Sequence, residues 1–213
     1  MMKGLITIIV LFWVANATIA QGRLHVNTGL THAAFTPEIP TVGMLSPPEI
    51  SNTSNWFIGV NYEIDLPGKL TLNPGLQFAR VSTNSRSAIQ IKSINNWLSL
   101  PLLLNYHFND RFSFNGGVQY NYLASAVLRG DVRDNVTEDQ KRSDAGIVLG
   151  STVKVIGRFS VDIRYVFGIV DLQDPIFVPL DPNQPNLIGT VDYDSYNRYF
   201  QLGIQYQLFG KGN

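Results

Sequence analysis

Cysteine is absent from the 213-residue chain, which excludes a disulfide framework, a thiolate metal site and a lipid-attachment cysteine. Charge is scarce: Asp, Glu, Lys and Arg make up 15 %, against about 25 % in ordinary soluble domains. Neither sign dominates, with 16 basic and 16 acidic residues. No polycationic face is available for nucleic acid, and nucleic acid is not expected as a partner. After the first twenty residues no apolar run approaches the ~20 residues that a membrane helix needs. Yet 45 % of the chain is hydrophobic. Hydrophobicity that is plentiful but never continuous must be spread by alternation.

Alternation is what the chain contains. In the stretch 158–169, Phe159, Val161, Ile163, Tyr165, Phe167 and Ile169 fall on one face of an extended strand, and Ser160, Asp162, Arg164, Val166 and Gly168 on the other. Side chains alternate across a strand with period two, so one face is apolar and the other mostly polar. Eight segments have this character, near 23–35, 55–66, 69–81, 94–108, 111–128, 144–156, 158–171 and 196–209. Tight turns rich in Pro, Gly, Asn and Asp are expected at Leu66-Pro67-Gly68-Lys69, Asn109-Asp110 and Ile156-Gly157-Arg158. Long polar connections are expected near 36–54, 82–93, 129–143 and 172–195. Three short turns and four long loops suit an all-β, eight-stranded antiparallel up-and-down transmembrane β-barrel with both termini on the short-turn side.

Met1 to Ala20 reads as a cleaved secretory signal. Lys3 supplies the positive start, Leu5–Val14 the apolar middle, and Thr18-Ile19-Ala20 the small-residue cleavage site before Gln21. The apolar run is half the length of a membrane span. Residues 21–213 are then one exported barrel domain. Bacterial outer-membrane barrels keep short turns in the periplasm and long loops outside, so the termini are expected in the periplasm.

Periodicity alone does not say which face is inside, and a soluble lipocalin-like barrel also has eight strands. Volume decides. Eight strands enclose a space just wide enough to be filled by side chains, and every Phe, Tyr, Leu and Ile of the apolar phase would overfill it. The polar phase instead carries Gly29, Gly59, Gly75, Gly117, Gly150, Gly168 and Gly203, expected to leave room for Gln, Asn and charged groups. Aromatics gather at strand ends, as in interfacial girdles. Tyr106, Phe108, Phe112, Phe159 and Tyr206 fall on the turn side, with Trp56, Phe78, Tyr122, Phe167 and Tyr199 on the loop side.

The segments WLSLPLLLNYHFNDRFSFNGGVQYNYL (97–123), DAGIVLGSTVKVIGRFSVDIRYVFGI (144–169) and NRYFQLGIQYQLF (197–209) resemble the outer-membrane β-barrel family that includes PorT-like proteins. Pro101 with its following leucines and Asn105-Tyr106, Gly117, Gly150, and Arg164-Tyr165 with Gly168 carry the likeness. The resemblance implies an eight-stranded barrel in the outer membrane of a Gram-negative cell, with a PorT-like role in protein secretion among the possibilities. Lipid, the barrel-assembly machinery and a secretion or envelope protein are the implied partners. The matching residues build the barrel, and nothing catalytic carries over. Pro101 donates no ladder hydrogen bond and is expected at a bulge.

The candidate lumenal network comprises Glu63, Lys154, Asp162, Arg164, Asn115, Gln119 and Gln205, with Asp65 and Asn61 in the same phase. Buried charges need partners, since an unpaired one costs several kcal/mol. A structural polar plug is the expectation; a gated ion path, giving a narrow solute pore, is the alternative. His25 and His107 share the inward phase without a carboxylate at ligand spacing, and read as ordinary lumenal residues rather than a metal site. His32 lies alone near the loop rim. A rim enzyme acting on lipid lacks a nucleophile with its orienting partners, so no catalytic residue, metal or cofactor is assigned. The loop 171–195 holds Asp171, Asp174, Asp181, Asp192 and Asp194, four prolines and the apolar Ile176-Phe177-Val178. It suits a docking loop better than a Ca²⁺ site, which needs six to eight arranged oxygens. Phe209 resembles the terminal aromatic that serves barrels as an assembly signal, but its phase differs from that of Tyr206 and Leu208. A non-enzymatic accessory or docking barrel is the functional expectation.

Overall fold

The computed structural model describes residues 22–34, 49–86, 90–130, 133–138, 141–171, 176–181, 184–191 and 196–210. The expected signal at 1–20, most of the connection 36–54, residues Asp174, Pro175, Pro182, Asp192 and Asp194, and the terminal Lys211-Gly212-Asn213 lie outside the described residues.

Eight long strands close into a barrel: β1 (Arg23–Ala33), β2 (Glu49–Asp65), β3 (Leu70–Arg86), β4 (Gln90–His107), β5 (Phe112–Arg129), β7 (Ser143–Ile156), β8 (Phe159–Asp171) and β11 (Tyr196–Phe209). Each pairs antiparallel with its neighbour in this order, and β11 returns to pair with β1. Closure leaves no unpaired edge. The short β6 (Arg133–Asn135) adds to the loop end of β5, and β9 (Ile176–Asp181) pairs with β10 (Gln184–Val191) as a separate hairpin. The turns form where the composition indicates. Gly68 and Gly157 adopt φ of 83° and 53°, a left-handed conformation open to glycine. Asn109 Oδ1 accepts from the backbone N–H of Arg111 at 2.9 Å and of Phe112 at 2.8 Å, a side-chain turn lock.

The apolar phase faces outward. Leu98, Leu100, Leu102, Leu104 and Tyr106 of β4, with Phe108 just past its end, are all exposed, as are Phe200, Leu202, Ile204 and Tyr206 of β11. The alternating partners, such as Ser99, Asn105, Gln201 and Gln205, are buried inside.

Four expectations are corrected. The connection expected at 82–93 is almost all strand, because β3 continues to Arg86 and β4 begins at Gln90. Its register holds from Ser82↔Ile94 to Arg86↔Gln90. Polar residues such as Ser82, Thr83 and Asn84 gave no alternation to read, yet backbone pairing needs none. Pro101 is not at a bulge. It pairs with Gln119 in unbroken register, and its ring packs over Gly75, where a Cβ would lie 3.1 Å from Pro101 Cγ. The glycines do more than leave room for polar groups. A Cβ on Gly29 would collide with the backbone carbonyl of Leu202, and one on Gly117 with that of Leu102, so these glycines let adjacent strands bend tightly together. Phe209, finally, is out of step only by count. A bulge between Leu24 and His25 leaves Leu208 as an extra residue, and Phe209 returns to the exposed face opposite Leu24.

Candidate functional site

The outer surface carries the expected aromatic residues. Trp56, Tyr106, Phe108, Tyr122, Phe159, Phe167 and Tyr206 point outward with 37–61 % of their surface exposed, and Phe112 is half-buried beside Phe114. Phe159 and Tyr206 pack at 4.8 Å across β8 and β11, and the Arg80 guanidinium sits 5.6 Å from the Trp56 ring. From Leu98 to Phe108 the apolar row of β4 spans ~33 Å of strand at ~3.3 Å per residue, matching the ~25 Å apolar band of a tilted barrel strand. Tyr199 does not belong to this row. It is fully buried and points inward, because Tyr199 pairs with Ala33 and Val166 in the lumenal phase.

The lumen differs along its length. Its loop-side part is filled by Trp97, Leu123, Tyr199, Val148, Val166, Ala33, Val81 and Ala126, with Leu103 below them. Phe57 joins them from β2, and a Cβ on Gly203 would lie 2.6 Å from its Cζ, so glycine opposite makes room for the ring. The sequence singles out neither Trp97 nor Phe57, and it places Tyr199 in the girdle instead of the lumen. They sit in the phase opposite the long apolar rows, and their own position in the count was the available signal. Asp144 lies among them, held by Asn121 Nδ2 at 2.9 Å and Asn197 Nδ2 at 3.0 Å. Gln119 Nε2 donates to Tyr199 Oη at 2.6 Å and Asn121 Oδ1 at 2.7 Å.

The turn-side part is charged. Arg23 Nε donates to Glu63 Oε2 at 3.1 Å and its Nη2 to Asp65 Oδ1 at 2.6 Å. His25 Nε2 lies 3.2 Å from Glu63 Oε2 and His107 Nε2 3.3 Å from Oε1. Thr71 Oγ1 donates to the same Oε1 at 2.8 Å. The two imidazoles are therefore not isolated from a carboxylate: Glu63 stands between them. Register explains it, since Arg23↔Glu63 and Thr71↔Asn105 bring β1 to β4 together at one height. Both histidines lie within ion-pair distance of the carboxylate, and no cluster of metal-ligating groups occurs among the described residues.

Asp162 and Arg164 form a second cluster. Arg164 Nε lies 2.8 Å from Asp162 Oδ2, Thr152 Oγ1 donates to Asp162 Oδ1 at 3.0 Å, and Asn115 Nδ2 donates to Thr152 at 3.2 Å. The seven residues expected in one network thus divide. Glu63 belongs to one cluster, Asp162, Arg164 and Asn115 to another, and Gln119 bonds toward Tyr199. Lys154 makes no ion pair among the described residues, and Gln205 Nε2 has no partner. Of these residues Glu63, Lys154 and Gln205 line a cavity of about 410 Å³ that opens at the turn side.

This closed barrel, apolar outside and polar within, is matched by a family. Residues 19–174 fit the family described as outer membrane protein beta-barrel domain, more than half of the chain. The chain belongs to that family. Membership puts the barrel in an outer membrane with its apolar band against lipid. No curated protein matches the chain in sequence. Solved structures do resemble it: Neisserial surface protein A at TM-score 0.51 and 8 % identity, covering 87 % of this chain and 97 % of that one. Ail of Yersinia pestis follows at 0.49 and 13 %, covering 88 % and 99 %, and OprG of Pseudomonas aeruginosa at 0.47 and 14 %, covering 90 % and 98 %. At such identities, likeness to Neisserial surface protein A is a likeness of fold. A PorT-like subgroup is not singled out by these matches.

Proposed function

We propose that the chain is a non-enzymatic outer-membrane barrel that works as an accessory or docking component. In this reading residues 1–20 are removed on export, and the turn side with both termini faces the periplasm. The barrel-assembly machinery inserts the barrel, with Phe209 as its terminal signal. The observation that carries it is the unequal elaboration of the two ends. Strands β2, β3 and β4 have 17, 17 and 18 residues, where a tilted crossing needs ~9–11. The surplus amounts to ~20 Å of paired strand beyond the bilayer at ~3.3 Å per residue. It is a rigid platform, and rigid elements hold binding surfaces better than loops do. Among the described residues the opposite end joins its strands by tight turns.

A partner in secretion or the envelope is the finer reading, and a PorT-like role in protein secretion is its most specific form. The filled mid-lumen, where Gln77, Ser99, Asn121 and Gln201 are buried, stands against the narrow pore. Cross-linking of intact cells followed by purification of the barrel tests the docking role. The expected result is an envelope protein captured by the wild type and lost when residues 82–93 are shortened to a tight turn. Capture of none, with normal secretion in cells lacking the chain, overturns the proposal.

A further inference from the structure

We propose that the turn-side cavity is a binding site for a small phosphate-bearing anion. The inference does not depend on the docking surface or on any partner there, since it concerns the opposite end of the barrel.

The cavity's two walls differ in whether their charges are already used. On the β1–β4 wall, Glu63 and Asp65 are both engaged by Arg23, and Glu63 also by His25, His107 and Thr71. The acids of that wall are thus taken, and its Lys69 reaches the Phe108 carbonyl at 3.4 Å. On the opposite wall Lys154, Ser160 and Gln205 form one row, because the register sets Lys154 against Ser160 and Ser160 against Gln205. Arg111 and Arg158 flank the row from the adjoining turns and also line the cavity. Among the described residues neither Lys154 nor Arg111 has a carboxylate within salt-bridge distance, and Arg158 makes a single bond of 3.3 Å to the Leu208 carbonyl. Asp162, the nearest buried acid in this wall, is bound by Arg164 and Thr152 and does not line the cavity. Asp110 also lines the cavity beside Arg111, and it is exposed on its turn.

The second observation is Gln205. The residue is 5 % exposed and lines the cavity, and its Nε2 has no hydrogen-bond partner among the described residues. A buried amide donor left without an acceptor is costly, so a ligand that accepts from it binds more tightly. Three cations and an amide donor approaching from two strands and two turns suit a tetrahedral anion with oxygens on several sides. A planar carboxylate would be served by one guanidinium fork. The volume of about 410 Å³ equals more than ten waters at ~30 Å³ each, enough for a diphosphate or a phosphate ester.

The test uses the full mature chain in nanodiscs of zwitterionic lipid, titrated calorimetrically with inorganic pyrophosphate. Saturable one-to-one binding is expected, weakened at least ~10-fold by Lys154→Gln and by Arg111→Gln, and unchanged by Lys92→Gln on β4 at the loop end. Arg111 is exposed on a turn, so its variant retains the fold even if Lys154→Gln does not. Repeating the titration in discs containing phosphatidylglycerol separates the sources. Loss of pyrophosphate binding there identifies a lipid headgroup as the natural occupant, and persistence identifies a free anion; either supports the site. No saturable binding, or equal binding by the Lys154→Gln/Arg111→Gln double variant, overturns it.

Discussion

The two ends of the lumen are built from the same eight strands and filled on opposite principles. Toward the loops the inward residues are large and apolar, and volume excludes water: Trp97, Tyr199, Leu123 and Phe57 have 0–1 % of their surface exposed. Toward the turns the inward residues are ions and amides, and each must find a partner. Even the acids differ. Asp144 on the loop side is held by two asparagine amides, whereas Asp162 faces a guanidinium and Glu63 faces Arg23 and two imidazoles. A seal at one end lets the other stay wet without opening a path through the membrane. The loop-side end is filled by side-chain volume, and the charged end holds Lys154 without an ion pair and Gln205 Nε2 without a partner among the described residues.

If that division is real, the two ends should respond to different kinds of substitution. The largest effect is expected where an ion loses its partner. Arg164→Met leaves Asp162 buried and uncompensated, which costs about 3–5 kcal/mol, while Asp162→Leu with Arg164→Met removes both charges and recovers most of the loss. Urea unfolding in lipid vesicles measures both. A single variant costing under ~1 kcal/mol would mean that water reaches Asp162, and the polar half would then be solvated rather than paired. On the loop side size should matter instead. Trp97→Ala is expected to cost about 3 kcal/mol through the cavity it leaves. Trp97→Phe should cost far less, because the indole N–H has no hydrogen-bond partner to lose. Equal losses for the two variants would show that the nitrogen matters, contrary to a seal made by volume.

Much of the barrel could be read from the chain because lipid imposes a strict rule. Wherever a strand crosses the bilayer its outward residues must be apolar, so Leu98 to Phe108 and Phe200 to Tyr206 announce both the strand and its facing. Beyond the bilayer the rule lapses. Residues 82–86 and 90–93 pair just as regularly, yet their composition is that of a loop. Inside, legibility fails for a different reason. The lumen's residues are selected by their neighbours across strands, and register is not visible in one sequence. Glu63, His25 and His107 were each assigned to the inward phase, but their convergence depends on three separate strand pairings. Tyr199 shows the same blindness in reverse. An aromatic near a strand end reads as part of a girdle, and only its step relative to Phe200 and Leu202 places it inside.

Tyr199 also marks the seam between the halves, and it yields the smallest and most discriminating effect. Its ring packs with the apolar cluster, and its hydroxyl accepts a hydrogen bond from Gln119 on the polar side. Tyr199→Phe preserves the ring and removes the oxygen. Gln119 Nε2 keeps its bond to Asn121, so the amide is not stranded and the loss should be about 1 kcal/mol, the usual net value of one hydrogen bond. Tyr199→Leu keeps neither the ring nor the hydroxyl and should cost about 2 kcal/mol more, in line with large-to-small core changes. The same unfolding measurement on both variants separates the contributions. If Tyr199→Phe alone accounts for the whole loss, the hydrogen bond rather than the ring joins the two parts of the lumen, and the polar network extends farther toward the loops than the apolar cluster suggests.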